Sequence, residues 1–184
     1  MRLTDINATE HLAGRALSAT RVADLLDGSA LHGGCHYVGM LNNFVDGAMR
    51  QSGAQSAGVS LSYRYNNSEL AWVRARGALQ DFEGRRFPRR HSPCGASLDA
   101  NATQLFIRPH RYFQWIYLAG IHIAEMLVTP IVGPHARKFG TLWMITHSDD
   151  SHLFNQNDAR ALEQASAKIS GAISDSLYRA SCTR

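Results

Sequence analysis

Cysteine is scarce in this chain of 184 residues, which holds three, at positions 35, 94 and 182. An odd and widely spaced set does not form the disulfide framework of a small secreted domain, so a reducing cytoplasm is the predicted compartment. A signal peptide is not expected, because no basic stretch at the N-terminus precedes an unbroken apolar run. The most apolar window, 113–133, contains His122, Glu125 and Pro130, so no membrane span is predicted.

Charge of either sign is modest, with 18% charged residues, a net charge of +4 and an isoelectric point near 9.2. Arginines cluster at 85, 86, 89 and 90, but no aromatic-rich basic groove or recognition motif accompanies them, so no nucleic-acid partner is expected. The nucleophile elbow G-x-S-x-G, the Walker phosphate loop and paired carboxylates are absent as well. Nothing in the sequence supports hydrolysis or phosphoryl transfer, and the chain is not expected to be an enzyme.

The chain is long enough for one domain, 1–184, with a sizeable core. Its first part, 1–52, is predicted to form two helices. Apolar residues at alternating four- and three-residue spacings mark the first, from Thr9 to Asp27, and the second covers Tyr37 to Gln51. A last helix, within 155–180, runs from Gln156 to Arg179, with Asn155 as its N-cap.

The middle of the chain, 55–150, is predicted to hold the sheet and a pocket segment. Apolar and polar residues alternate from Ala57 to Tyr65, and a second strand at Glu69–Ala78 follows an asparagine-rich turn, so the two form an antiparallel hairpin. Further strands are predicted at 104–107, 125–132 and 140–147, with a short aromatic helix at 112–118. The connection 133–138 is too short for a parallel crossover, so the last two strands also form a hairpin. This order is typical of an α+β domain with a mostly antiparallel sheet, terminal helices on one face and the irregular middle on the other.

Five blocks of the sequence, in order and spacing, resemble the second half of a GAF domain. They are SPCGASLD, RYFQWI, EMLVTPIVG, FGTLWMITH and LFNQNDARALEQASAKIS. The chain is most similar to the cytoplasmic GAF domains of bacterial sensor histidine kinases. The resemblance implies a GAF/PAS-like α+β fold of about six antiparallel strands with a small-molecule pocket on one face, roofed by residues 80–120. It also implies homodimerisation through the terminal helices, a role in two-component signal transduction, and a histidine kinase or other signalling output as partner.

Cys94 distinguishes between branches of that family. A bilin-binding GAF domain tethers its cofactor through a cysteine usually followed by histidine, but here the pair Cys35-His36 precedes the first strand and Cys94 is followed by glycine. A bilin is therefore not expected, nor is a haem, and the cofactor stays unknown. The cyclic-nucleotide motif is absent. Cys94 resembles one redox cysteine of the free methionine sulfoxide reductases, but the attacking thiol expected within 117–121 is missing, so thiol-dependent redox activity is an alternative hypothesis.

Two interpretations of Cys94 stay open. At a helix N-terminus, unpaired backbone N–H groups would lower the thiol pKa. Alternatively, Pro93 begins the helix and Cys94 is a small buried apolar residue, which we favour. His32, Cys35 and His36 could share a metal, but two glycines between them oppose a helix and no fourth ligand is near, so no metal site is predicted.

The predicted ligand site combines aromatic and polar residues of the pocket segment with one strand residue. Small-molecule pockets are mostly apolar with a few polar groups that set orientation, and arginine suits a carboxylate or a phosphate. The candidate ligand-binding residues are Ser92, Cys94, Phe106, Arg108, Tyr112, Trp115, His122 and Trp143. The leading hypothesis is a dimeric sensor that transmits through its end helices. A structural dimerisation module with a collapsed pocket is the third hypothesis.

Overall fold

The computed structural model describes the backbone of residues 34–63, 66–147 and 153–182. The predicted helix from Thr9 to Asp27 lies outside these residues. Single 3₁₀ turns occupy Gln80–Phe82, Pro109–Arg111 and Pro134–Ala136. The longer helices and strands are α1 (Gly34–Ser52), β1 (Ser56–Tyr63), β2 (Asn66–Gly77), β3 (Arg86–Pro88), α2 (Pro93–Ala100), β4 (Gln104–Ile107), α3 (Gln114–Leu118), β5 (Glu125–Val132), β6 (Lys138–Thr146) and α4 (Gln156–Cys182).

Six strands form one antiparallel sheet in the order β3-β2-β1-β6-β5-β4. Both predicted hairpins are present, β1 with β2 and β5 with β6. β6 lies in the interior of the sheet, and every residue from Phe139 to Thr146 is buried. Its sequence is accordingly an almost continuous apolar run, because helices cover both faces of the strand. The predicted α+β architecture with about six strands is confirmed.

Two apolar layers flank the sheet. One joins α1 and α4 to side chains such as Val59 and Leu142. The other joins α2 and α3 to the opposite side chains of the same strands, including Trp143 and Ile145. The alternation along β6 therefore assigns successive residues to different layers. As predicted, the helices α1 and α4 cover one face and the irregular middle covers the other.

Two local predictions are corrected. No strand is predicted between Ala78 and residue 104, but residues 86–88 in the arginine-rich segment form the edge strand β3, where Phe87 is buried and pairs with Leu70. Three residues are too few to show a strand period, and burial of Phe87 decides the conformation. The predicted helix at 112–118 begins later, because Phe113 is extended at φ −113° and ψ 91° and only Gln114–Leu118 is helical.

α4 is tied to the sheet through its cap and its serines. The Asn155 side-chain oxygen accepts from the backbone N–H of Asn157 at 2.7 Å, which confirms the predicted N-cap. Ser166 donates to the carbonyl of Pro130 and Ser170 to that of Val132, both at 2.7 Å. These carbonyls lie beyond the residues that pair with β4, so the helix satisfies acceptors at the end of β5.

A buried carboxylate holds the turn after β2. Glu83 is 9% exposed, accepts from the backbone N–H of Ala75 at 3.1 Å, and forms ion pairs with Arg74 and with Arg76. The three donors satisfy a charge that would otherwise be costly to bury. This contact fixes the path of the chain from β2 into β3, and β3 in turn carries Phe87 to the layer under α2 and α3.

Candidate functional site

The segment SPCGASLDA folds into α2 by ordinary capping chemistry. Ser92 is extended, and its hydroxyl accepts from the Gly95 backbone N–H at 3.0 Å while donating to the Arg89 carbonyl at 2.8 Å. Pro93 occupies the first turn, where its missing N–H is not needed. A Cβ on Gly95 would lie 1.8 Å from the Arg89 carbonyl oxygen, so only glycine fits. The hydroxyl of Ser92, a predicted ligand-binding residue, serves as the helix cap.

Cys94 points from this first turn into the layer beneath. Its side chain is 1% exposed, and its sulfur lies 3.8 Å from the Ser60 hydroxyl on β1. Burial raises the thiol pKa to about 11, and the neighbouring hydroxyl groups of Thr141 and Ser60 offset only part of that rise. The prediction that Pro93 begins the helix and that Cys94 is a small buried residue is confirmed. Desolvation disfavours the thiolate, which opposes the alternative of a thiol pKa lowered at the helix N-terminus.

The side chains that form the floor of this layer are small. The residues of β1 that face α2 and α3 are Ser56, Gly58, Ser60 and Ser62. The Trp143 indole occupies the space that they leave: a Cβ on Gly58 would lie 2.2 Å from its ring, and its Nε1–H donates to the Ser60 hydroxyl at 3.0 Å. Trp143 is fully buried. It therefore fills the hollow over the middle of the sheet.

Above this floor, Trp72 is the centre of an aromatic cluster. Its ring centroid lies 5.4 Å from those of Phe87 and Trp143, 5.6 Å from that of Phe82 and 6.3 Å from that of Trp115. Trp115 stacks on Phe87 at 5.2 Å with 20° between the rings, and its Nε1–H donates to the His91 carbonyl at 3.1 Å. These contacts hold α3 over the sheet as a roof.

Between the roof and the floor lies a small cavity of about 10 Å³. Its volume corresponds to about one water molecule. The surface that lines it is apolar. The lining residues are Trp72, Phe87, Pro93, Cys94, Trp115, Ile116, Ile121, Ile123, Met126 and Ile145.

Two of the eight predicted ligand residues, Cys94 and Trp115, line this cavity, and Trp143 belongs to the same buried cluster. Phe106 is half-buried beside Phe113, with 5.8 Å between ring centroids, and does not line the cavity. Ser92 belongs to the cap. Trp72 was not among the predicted ligand residues, although the alternation along its strand indicates that it lies on the same face of the sheet as Leu70 and on the opposite face from Ala71.

The other three predicted ligand residues lie away from this cavity. Tyr112 is 76% exposed and His122 is exposed. Arg108 adopts a left-handed conformation with φ 48°, and its backbone N–H donates to the Ala124 carbonyl at 2.8 Å. A 3₁₀ turn follows at Pro109–Arg111. None of the three lines the cavity.

A wider groove lies on the opposite face of the sheet, between α1 and α4. Its volume is about 480 Å³ and it is open to solvent. Small residues of both helices, such as Gly47 and Ala161, line it together with polar residues such as Asn43 and Lys168. His32, Cys35 and His36, which were considered and not predicted as a metal site, lie outside the described side chains. Within residues 34–63, 66–147 and 153–182, no group of three metal-ligating side chains occurs and no helix could span a membrane.

The strand order, the helical layer on one face and the short helical roof on the other define the GAF fold. The GAF-B domain of DevS from Mycobacterium smegmatis is similar with a TM-score of 0.62 and 16% identity, over 78% of this chain and 96% of that one. The GAF domain of Acinetobacter phosphoenolpyruvate-protein phosphotransferase has a TM-score of 0.62 at 13% identity, over 93% and 95%. The sequence itself matches no protein-family model and no curated protein.

An enzyme has a similar fold. Free methionine-R-sulfoxide reductase from Neisseria meningitidis, solved in complex with its substrate, has a TM-score of 0.61 at 20% identity, over 88% of this chain and 86% of that one. At these identities the likeness establishes the fold. The predicted family resemblance is confirmed at that level.

Proposed function

We propose that this chain is a GAF-type sensing or regulatory domain that binds a small molecule between the sheet and the roof helices α2 and α3. The observation that carries the proposal is the cavity between them: β1 presents only small residues there, while aromatic side chains from β2, β3 and α3 converge above it. A structurally similar protein, the Neisseria reductase, holds a small molecule as its substrate.

The cavity must enlarge to admit a ligand, and the roof is the part suited to move. α3 is only five residues long; Ile116 anchors it in the core, and Trp115 contacts Phe87 and Trp72 and donates to the His91 carbonyl. A ligand that prefers the open arrangement would shift the population toward it. The route to the output is the pair β5 and α4, which Ser166 and Ser170 connect by hydrogen bonds.

The terminal helices would carry the signal to a partner. The open groove between α1 and α4 supports a homodimer or a helical output partner on this face. A histidine kinase or another output module of a bacterial two-component system is the proposed recipient. The scarcity of cysteine supports a cytoplasmic setting.

We propose that the domain senses without catalysing. The buried thiol of Cys94 has a pKa near 11, which disfavours the thiolate that nucleophilic or redox chemistry requires. The fold of the reductase keeps thiol-dependent redox activity as the alternative. An assay of free methionine sulfoxide reduction with purified protein and a dithiol reductant separates the two: turnover abolished by Cys94→Ala would establish the alternative.

Native mass spectrometry of gently purified protein tests the sensor proposal. A dimer that carries a reproducible non-covalent mass excess is the expected result, and the excess gives a formula for the ligand. An apo dimer whose scattering profile is unchanged by every small molecule in a metabolite extract would contradict the proposal and would favour a structural dimerisation module.

A further inference from the structure

The positive charge of this chain is concentrated in one segment, residues 85–122. The segment contains six arginines, no lysine and one acidic residue, Asp99, which gives it a net charge of +5. The whole chain carries +4, so the other 146 residues together carry −1. Of the acidic residues that flank the segment, Glu83 and Glu125 are buried and Asp81 is exposed. The segment is therefore a positive region on a chain that is close to neutral elsewhere.

This segment builds the roof of the domain. It contains β3, α2 and α3, whose buried side chains pack into the layer beneath them, so their exposed side chains point away from the sheet. Asp99 forms an ion pair with Arg89, and the segment holds no second acidic residue for the other five arginines. Arg90 and Arg111 are exposed, and neither forms an ion pair with a described residue.

Both exposed arginines lie next to α3. Arg90 precedes His91, whose backbone carbonyl accepts from the Trp115 indole of α3 at 3.1 Å. Arg111 lies three residues before Gln114, the first residue of the helix. The two guanidinium groups therefore belong to chain segments that approach α3 from different parts of the sequence.

α3 presents an apolar face to solvent between these segments. Gln114, Tyr117 and Leu118 share one side of the helix by their three- and four-residue spacing, while Ile116 is buried. Tyr117 is 66% and Leu118 58% exposed, and Tyr112 just before the helix is 76% exposed. These are three of the six large apolar side chains that are exposed among the described residues. Apolar side chains that cluster on a surface mark an interaction site.

We call Arg90, Arg111, Tyr112, Tyr117 and Leu118 the roof surface. Arginine and aromatic residues are enriched at the centres of protein–protein contacts, where lysine and acidic residues are depleted, and residues 85–122 have this composition. A membrane surface is a poorer match, because binding to lipid scales with buried apolar area and α3 exposes only two large apolar side chains. The composition favours a protein as the partner.

We propose that the roof surface docks an acidic segment of a partner protein. Carboxylates of that segment pair with Arg90 and Arg111, since the planar guanidinium binds a carboxylate through two hydrogen bonds, and its apolar side chains pack on Tyr117 and Leu118. A second copy of this chain does not supply such a segment, because its longest acidic run is Asp149-Asp150. The inference goes beyond the proposed ligand site, and no residue of the roof surface lines the cavity.

A library of random dodecapeptides displayed on phage is the probe, selected against the full chain at about 0.15 M salt. The enriched peptides are expected to carry an excess of Asp and Glu together with a large apolar residue. The best of them is synthesised with a fluorophore, and its dissociation constant is measured by fluorescence anisotropy. The double variant Arg90→Gln/Arg111→Gln should bind it about tenfold or more weakly than the wild type.

Two matched controls separate docking from general charge and stickiness. Arg160→Gln/Lys168→Gln removes two exposed cations from α4, on the other face of the sheet, and should leave the dissociation constant unchanged. Leu118→Ser should weaken binding about fivefold or more, as expected for an apolar contact residue. Leu153→Ser is its control, because Leu153 is equally exposed, at 57%, and lies outside the roof surface.

All of these substitutions change exposed side chains, and circular dichroism melts verify that each variant folds. The wild type gives a readout that needs no variant: the peptide should shift the backbone amide resonances of residues 90–91 and 111–118 and leave those of α4 in place. Shifts confined to α4 would overturn the proposal.

The proposal would also be overturned by a selection that enriches no acidic peptide, or by equal losses of affinity in the two double variants. Phosphatidylserine vesicles and a single-stranded oligodeoxynucleotide test the other anionic partners. If either binds more tightly than the best peptide and loses binding in Arg90→Gln/Arg111→Gln, the roof surface serves a membrane or a nucleic acid and the proposal fails. None of these outcomes bears on the ligand site, which the native mass spectrum tests separately.

Discussion

Gly58→Ala tests the packing at the centre of the candidate site. The added Cβ would lie 2.2 Å and 2.6 Å from two ring atoms of Trp143 and 2.4 Å from the Arg74 carbonyl oxygen. The indole could rotate away, but only by giving up its hydrogen bond to Ser60, and the carbonyl belongs to the paired neighbouring strand. Overpacking of this kind costs about 1–3 kcal/mol, and loss of one hydrogen bond costs about 1 kcal/mol more.

We therefore expect Gly58→Ala to lower the free energy of unfolding by about 3 kcal/mol, which corresponds to a fall in Tm of about 6–12 °C for a domain of this size. Circular dichroism melts and urea denaturation measure both. Gly171→Ala is the matched control: no atom lies within 4 Å of its Cβ position in the interior of α4, so helix propensity should stabilise it by about 0.5–1 kcal/mol. A Gly58→Ala protein as stable as the wild type would refute the placement of Trp143 over β1.

Three further predictions concern a thiol, an anchor and an ion pair. Because burial raises the pKa of Cys94 from 9.0 to about 11, the folded state keeps a proton that the unfolded state loses between these two pH values, and the free energy of unfolding should fall by about 2–3 kcal/mol as pH rises from 9 to 11. Chemical denaturation across that range should show a smaller fall for Cys94→Ala. Ser170→Ala removes a hydrogen bond between α4 and β5 and should lower Tm by about 2–4 °C, whereas Ser174→Ala loses only a bond within its own helix and should change Tm little. Equal Tm values for the two variants would contradict the anchoring role of Ser170. In urea titrations, Glu83→Gln should lower the free energy of unfolding by about 3 kcal/mol because two arginines lose a buried partner, while Glu69→Gln, in a more exposed pair at 3.8 Å, should lower it by under about 1 kcal/mol. A larger loss for Glu69→Gln than for Glu83→Gln would disprove the stabilising role of the buried ion pairs.

Elements with a clear period were predictable from sequence alone. β4 and β5 have the predicted bounds, and β6 begins two residues before its predicted start. Turn and cap chemistry is equally local, which is why Pro93 and Asn155 indicated where two helices begin. Whether a segment forms a helix or a strand depends on residues close together in the sequence, because the spacing of their apolar side chains marks the face that is buried.

The ligand-facing residues were harder to predict, because lining a cavity is a property of several distant segments at once. Arg108 and His122 have suitable chemistry and are close in sequence to residues that line the cavity, but neither of them lines it. Trp72 carried no motif and became central only because β2, β3 and α3 bring their aromatic residues together. The arginines and histidines of this part of the sequence therefore did not indicate that the cavity is uncharged and apolar.

The sequence by itself determined the class of fold, since alternating strands between terminal helices have few ways to bury their apolar faces. It also indicated the start of α2 and the buried character of Cys94. Only the tertiary structure decided what surrounds that thiol: the small residues of β1, the indole that lies over Gly58, and the aromatic cluster centred on Trp72. These features depend on packing between segments far apart in the chain, and burial changes the chemistry of a group only after those segments have met.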